Sequence, residues 1–151
     1  YLNLQDQAAV RQACQDLRKA TGDHMSLLVA KMVTGKREFL AGMVREQAFG
    51  PSIIFGLGGI YAEALKDRNF RIAPLSPCDA TDMITGIKAA SLLETFRGEP
   101  PVNRQALCKI LQALGTIALL HPEIAEIDLN PVIIAGSEPI VADALIVLRN
   151  P

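Results

Sequence analysis

The chain has 151 residues, half of them hydrophobic, with 15 Lys and Arg against 16 Asp and Glu and a formal net charge of −1. That length can bury a core, the composition is too apolar for disorder, and the even charge offers no basic stripe for nucleic acid. No apolar run approaches the roughly 20 residues of a membrane span, the start lacks a signal-peptide pattern, and 5% aromatic residues without Trp do not build a stacking platform for single strands.

Asp6 reads as an N-cap, with Val10, Ala13, Cys14 and Leu17 at helical spacing behind it and Gly22 as a stop. A helix is expected from about 7 to 20. Residues 26–33 (SLLVAKMV) form a continuous apolar run of strand length, expected as a buried strand. Residues 37–45 read as a second strand, Phe49-Gly50-Pro51 as a turn, and residues 52–55 as a third strand. Gly56-Leu57-Gly58-Gly59 is expected to lie outside regular structure. Residues 61–65 and 70–75 read as two short strands joined at Lys66-Asp67-Arg68-Asn69.

Ser76 should cap a helix running to about Lys88, with Pro77 at its first position and Asp79 in its first turn. Residues 90–96 read as a short helical piece, and Gly98-Glu99-Pro100-Pro101 as a rigid connection. Asn103 should cap the longest helix, whose apolar stripe is Leu107, Ile110, Leu111, Leu114, Ile117 and Ala118 and which Pro122 ends. The chain closes on a hairpin in which Gly136-Ser137 forms a two-residue turn. Blocks of strands and helices make the class α/β in the loose sense, or α+β.

That hairpin carries the best candidate site. Facing residue numbers sum to 273, so Asn130 falls opposite Asp143. Asp128, two residues before Asn130, shares its side of the strand. Two carboxylates and an amide oxygen about 5 Å apart at Cβ suit Mg²⁺, particularly Mg²⁺ that also touches phosphates. The alternative is that Asn130-Pro131 merely bends the strand and the acids face solvent. A one-residue slip would turn Asp143 away.

Other candidates have plainer alternatives. The three glycines at 56, 58 and 59 do not make a dinucleotide fingerprint; they either let backbone N–H groups approach a phosphate or form a tight turn. Glu63 alone reads as a surface residue. Glu38, beside Lys36 and Arg37, reads by default as part of a surface ion cluster. His24 lies in a polar turn, and His121 is explained by a helix C-terminus. Cys14, Cys78 and Cys108 are far apart with no CxxC pair, as expected of reduced thiols in a cytoplasmic protein.

Four segments taken together resemble one family: residues 36–67, 70–84 (FRIAPLSPCDATDMI), 96–103 (FRGEPPVN) and 122–135 (PEIAEIDLNPVIIA). Their order resembles the ATP-grasp part of the ADP-forming (NDP-forming) acyl-CoA synthetases, also found in synthetase-like regions of bacterial protein acetyltransferases. The resemblance covers nearly the whole chain and implies an ATP-grasp-like mixed, largely antiparallel sheet with packed helices. It implies that residues 1–33 are the remnant of a first ATP-grasp subdomain whose N-terminal lobe is mostly missing, and that 34–151 are the second.

The resemblance also assigns roles. Asp128, Asn130 and Asp143 match positions that hold Mg²⁺ on ATP or ADP phosphates. Ala30, Lys31, Met32 and Val33 match the strand end at the adenine edge, Glu38 an acid near the ribose, and Gly58, Gly59 and Glu63 the phosphate border. The metal position often held by Glu is Asp128 here. The implied activity is reversible formation of carboxylate, CoA and ATP from acyl-CoA, ADP and phosphate. The implied partners are nucleotide and a CoA-binding, phosphohistidine-bearing domain, in an oligomer or larger assembly and without nucleic acid or membrane. The alternatives are a non-catalytic regulatory module of a protein acetyltransferase and a different ATP-grasp ligase.

Overall fold

The computed structural model describes residues 1–22, 24–59 and 65–149. The chain divides into two units, Tyr1–Met32 and Val33–Pro151.

In the first unit, α1 spans Gln7–Thr21. Asp6 caps it as expected: its carboxylate accepts the Ala9 N–H at 2.8 Å, supplying one of the partners the first turn lacks. Gly22, at φ 88°, stops it. The expected strand over 26–33 does not form. An apolar run becomes a buried strand only where neighbours pair its edges and cover its faces. Here no described strand pairs with it, and Leu28 and Val29 are 92% and 67% exposed.

The second unit is a sheet covered on one face by helices. β1 is Glu38–Glu46, β2 Gly50–Leu57, β3 Arg68–Ile72, β4 Ile124–Ala135, β5 Glu138–Val141 and β6 Leu145–Leu148. Among the described residues these six form one antiparallel sheet in the order β3-β2-β1-β4-β5, with β6 on the same edge of β4 as β5. Odd-numbered residues of β1 and β2 face the helices: Phe39, Ala41, Met43, Ile53 and Phe55 are all buried, and the Phe39 and Phe55 rings stack at 5.4 Å.

α2 (Pro77–Thr85) and α3 (Arg104–Leu120) supply the other half of the core through Ala80, Met83, Ile84, Leu107, Leu111, Leu114 and Ala118. Both carry their expected caps. The Ser76 hydroxyl accepts the Asp79 N–H while the Asp79 carboxylate accepts the Ser76 N–H, a reciprocal capping box. Asn103 accepts the Ala106 N–H. α2 ends at Thr85, before the expected Lys88, because a 3₁₀ turn (Lys88–Leu93) begins there. The Asp67 carboxylate accepts the Lys88 and Ala89 N–H groups at 2.8 and 2.7 Å and holds that turn's start.

β2 runs further than expected. Gly56 and Leu57 belong to it, because β3 approaches so closely that a Cβ on Gly56 would lie 2.4 Å from the Asp67 carbonyl oxygen. Glycine at 56 permits the pairing instead of breaking the strand. β3 begins two residues earlier than the expected 70. The expected strand at 61–65 lies, but for Leu65, outside the described residues.

Candidate functional site

The closing hairpin has the register read from the sequence. Val132 pairs with Val141, Ile133 with Ile140, Ile134 with Pro139 and Ala135 with Glu138, each pair summing to 273. Beyond a gap at 142–144 the ladder resumes with Asp128 opposite Leu145 and Ile127 opposite Ile146, on the same sum. The gap therefore holds equal lengths on both strands, and Asn130 falls opposite Asp143.

The gap coincides with a bulge. Between Phe39↔Val132 and Ala41↔Leu129 the β1–β4 register shifts, so Asn130 and Pro131 together oppose the single residue Leu40. Proline has no N–H for the ladder and is accommodated where the ladder is already interrupted. The bulge switches the facing of β4. Before it, Ile127 and Leu129 pack towards the helices; after it, Val132 and Ile134 do. Asp128 and Asn130 are thereby on the face away from the core, with Asp128 half-buried and Asn130 exposed. The partner strand switches at the same place, since Val141 pairs with a core-facing residue and Leu145 with Asp128.

Asp143 is exposed in the gap, and its Oδ1 accepts the Ala144 N–H at 2.9 Å. Neither Asp128 nor Asp143 forms a salt bridge among the described residues, so no side-chain cation neutralises them there. No group of three or more His, Cys, Asp and Glu among those residues is placed to hold a metal. The set here is two carboxylates and an amide, a hard-oxygen donor group that fits Mg²⁺ shared with phosphate oxygens.

Glu38 and the glycines lie together. The Gly58 N–H donates to the Glu38 carbonyl at 2.9 Å, so that amide is already engaged. Gly59 has φ 69°, and a Cβ there would stand 2.9 Å from Glu38 Oε2; glycine is needed for the backbone, and the Glu38 carboxylate borders it closely. Glu38 is half-buried at the head of β1. Ala30, Lys31 and Met32 are exposed in irregular backbone of the first unit, and Val33 is half-buried in the second. Glu63 lies outside the described residues.

The expected surface ion cluster at 36–38 is wrong for Arg37, which is 1% exposed. Its five N–H donors are all used. Nε donates to Glu99 Oε2 at 3.1 Å, Nη1 to the carbonyls of Leu92 and Glu94 at 3.1 Å each, and Nη2 to those of Pro100 and Gly136 at 2.8 and 2.9 Å. Arg45 donates to the carbonyls of Ile124, Ala118 and His121, closing the end of α3. His121 is the C-cap of α3 and its Nδ1 lies 3.0 Å from Glu123, a structural role as expected. The signal for both arginines was the alternation itself: Arg37, just before β1, and Arg45 within it share the odd parity of the core residues Phe39, Ala41 and Met43. Cys14, Cys78 and Cys108 are free thiols, and no described helix is long and apolar enough to cross a membrane.

Residues 1–148 match the ATP-grasp domain family, and the chain belongs to that family. Within it, the chain is the ATP-grasp part found in ADP-forming acyl-CoA synthetases. It is 43% identical over 142 residues to the beta subunit of the ADP-forming acetate–CoA ligase I of Pyrococcus furiosus, covering 93% of this chain and 61% of that subunit. It is 44% identical over 122 residues to the ADP-forming acetate–CoA ligase I of Archaeoglobus fulgidus, covering 81% of this chain and 18% of that protein. The chain thus spans only part of these relatives. Among solved structures, acetyl-coenzyme A synthetase 1 of Ca. Korarchaeum cryptofilum superposes with a TM-score of 0.89 at 40% identity, covering 99% of this chain and 67% of that one. That enzyme was solved with coenzyme A and Mg-AMPPCP, its phosphohistidine segment pointing towards the nucleotide-binding site.

Proposed function

We propose that this chain supplies the Mg²⁺–nucleotide site of an ADP-forming acyl-CoA synthetase, with Asp128, Asn130 and Asp143 as the residues that hold the metal on the phosphates. The observation that supports the reading is the shared register on both sides of the 142–144 gap, on which Asp143 would stand opposite Asn130. Mg²⁺ bound there would neutralise phosphate charge. The chain's part is to hold hard oxygen ligands at fixed spacing on a sheet, so that little reorganisation accompanies phosphoryl transfer. Glu38 would face the ribose and the Gly58-Gly59 corner would border the phosphates. Ala30, Lys31, Met32 and Val33 would meet the adenine edge.

In the whole protein the reaction would convert acyl-CoA, ADP and phosphate to carboxylate, CoA and ATP. The phosphoryl group would arrive on a histidine of a CoA-binding partner domain. The relatives named as ADP-forming ligases and the Mg-AMPPCP in the Korarchaeum enzyme support this reading. The test is calorimetric titration of ADP into the chain with and without Mg²⁺, beside Asp143→Asn. Mg²⁺-dependent heat that vanishes in the variant is expected. Equal heats in the two proteins would overturn the metal assignment.

A further inference from the structure

We infer that Arg37 is a positioning residue for the Asp128–Asn130–Asp143 set, acting at a distance through the Gly136 turn; the inference rests on the metal reading above. Asp143 reaches Asn130 only through the hairpin register. A slip of one residue would bring Ala142 or Ala144 opposite Asn130 and remove the second carboxylate. β5 cannot choose that register by burial, because it has four residues and three are exposed. Register is weakly specified in such a strand, and β6 beyond the gap, with all four residues exposed, is no better fixed by burial, so the turn is the firm reference for both.

The turn is held from outside the hairpin at two points. The Asn103 N–H donates to the Ser137 carbonyl at 2.8 Å, and the Asn103 amide donates to the Glu138 carboxylate at 3.0 and 3.1 Å. The Asn103–Glu138 contacts are solvent-exposed, and water can replace them. The second point is Arg37 Nη2 on the Gly136 carbonyl at 2.9 Å. That guanidinium is 1% exposed with its other four donors committed. Moving the turn would leave a buried cationic donor unpaired, which is strongly unfavourable. The backbone continues the clamp, since the Ile134 N–H donates to the Arg37 carbonyl at 2.9 Å.

The test is the Mg²⁺ concentration that half-saturates ADP binding in the native chain, in Arg37→Lys, and in each of these carrying Val132→Cys with Val141→Cys. Val132 and Val141 stand directly opposite, so a disulfide between them locks the native register without touching the proposed ligands. Lysine keeps the charge but loses the fork of donors. Arg37→Lys should raise the Mg²⁺ requirement roughly 10–100-fold, as loss of a supporting contact behind metal ligands does. The oxidised lock should restore the native value.

An unchanged Mg²⁺ requirement in folded Arg37→Lys, with native binding intact, would overturn the inference alone. If Arg37→Lys does not fold even when locked, Arg37 maintains the fold rather than the site and the inference falls. Absence of Mg²⁺-dependent binding in the native chain would remove the metal reading itself, and the inference with it.

Discussion

Arg37 Nη2 donates to the carbonyl of Gly136 at 2.9 Å across 99 residues of sequence, joining the head of the central strand to the turn of the last hairpin. The same side chain also reaches the Leu92, Glu94 and Pro100 carbonyls and the Glu99 carboxylate. Removing it deprives four carbonyls of a donor at one stroke and leaves Glu99 only the Lys36 ion pair at 4.0 Å. Arg37→Ala is expected to cost about 3–5 kcal/mol, the range for breaking a buried pair by deleting one partner. Urea unfolding would measure it; a loss below about 1 kcal/mol would contradict the clamp.

Asp128→Asn and Asp143→Asn should leave folding unchanged. Neither carboxylate has a salt-bridge partner among the described residues, and an asparagine at 143 can still accept the Ala144 N–H through its carbonyl oxygen. Thermal midpoints within about 2 °C of native are expected, as for surface substitutions within about 0.5 kcal/mol. Mg²⁺-dependent ADP binding should be lost in both. A large drop in thermal midpoint would mean that these acids serve the fold.

Asp67→Ala removes a 6% exposed carboxylate that accepts two backbone N–H groups at the start of the 3₁₀ turn. The expected cost is about 1–3 kcal/mol, that of leaving buried donors unpaired. Amide hydrogen exchange at Lys88 and Ala89 should accelerate. Protection unchanged at those two amides would show that the cap is not made in solution.

The Asp79 carboxyl is held below the usual aspartate range, first by the Ser76 side chain and then by the Ser76 backbone N–H. A depressed folded value makes this contribution present above the ordinary aspartate titration and lost as pH falls through the folded value. The stability difference between native and Asp79→Asn should therefore be fully developed at neutral pH and shrink in acid. A difference that stays constant from pH 7 to about pH 2 would contradict the capping box as the source.

Much of this was legible in the sequence because it is local. Caps at Asp6, Ser76 and Asn103, the stop at Gly22 and the Gly136-Ser137 turn depend on a few neighbouring residues, and all are found. The hairpin register followed from turn length alone. The apolar run at 26–33 carried no such local information: its character depends on neighbours that pair with it, and none does among the described residues. Gly56 looked like a breaker because close approach by β3 is invisible to a one-dimensional reading. Arg37 was read by residue type, as a surface cation, although its odd-numbered position beside Phe39, Ala41 and Met43 placed it inside. Its partners lie 55 to 99 residues away, and only the folded chain brings them to it.

The three-residue gap between β5 and β6 has one further consequence. The ladder is anchored on both sides in a single register, and residues 142–144 form a short length of chain with both ends tied. Within it the Ala142 N–H still donates to the Pro131 carbonyl at 3.0 Å. A residue inserted within 142–144 would therefore find no ladder position to occupy and would bulge out at Asp143, leaving every flanking pair of β5 and β6 where it is.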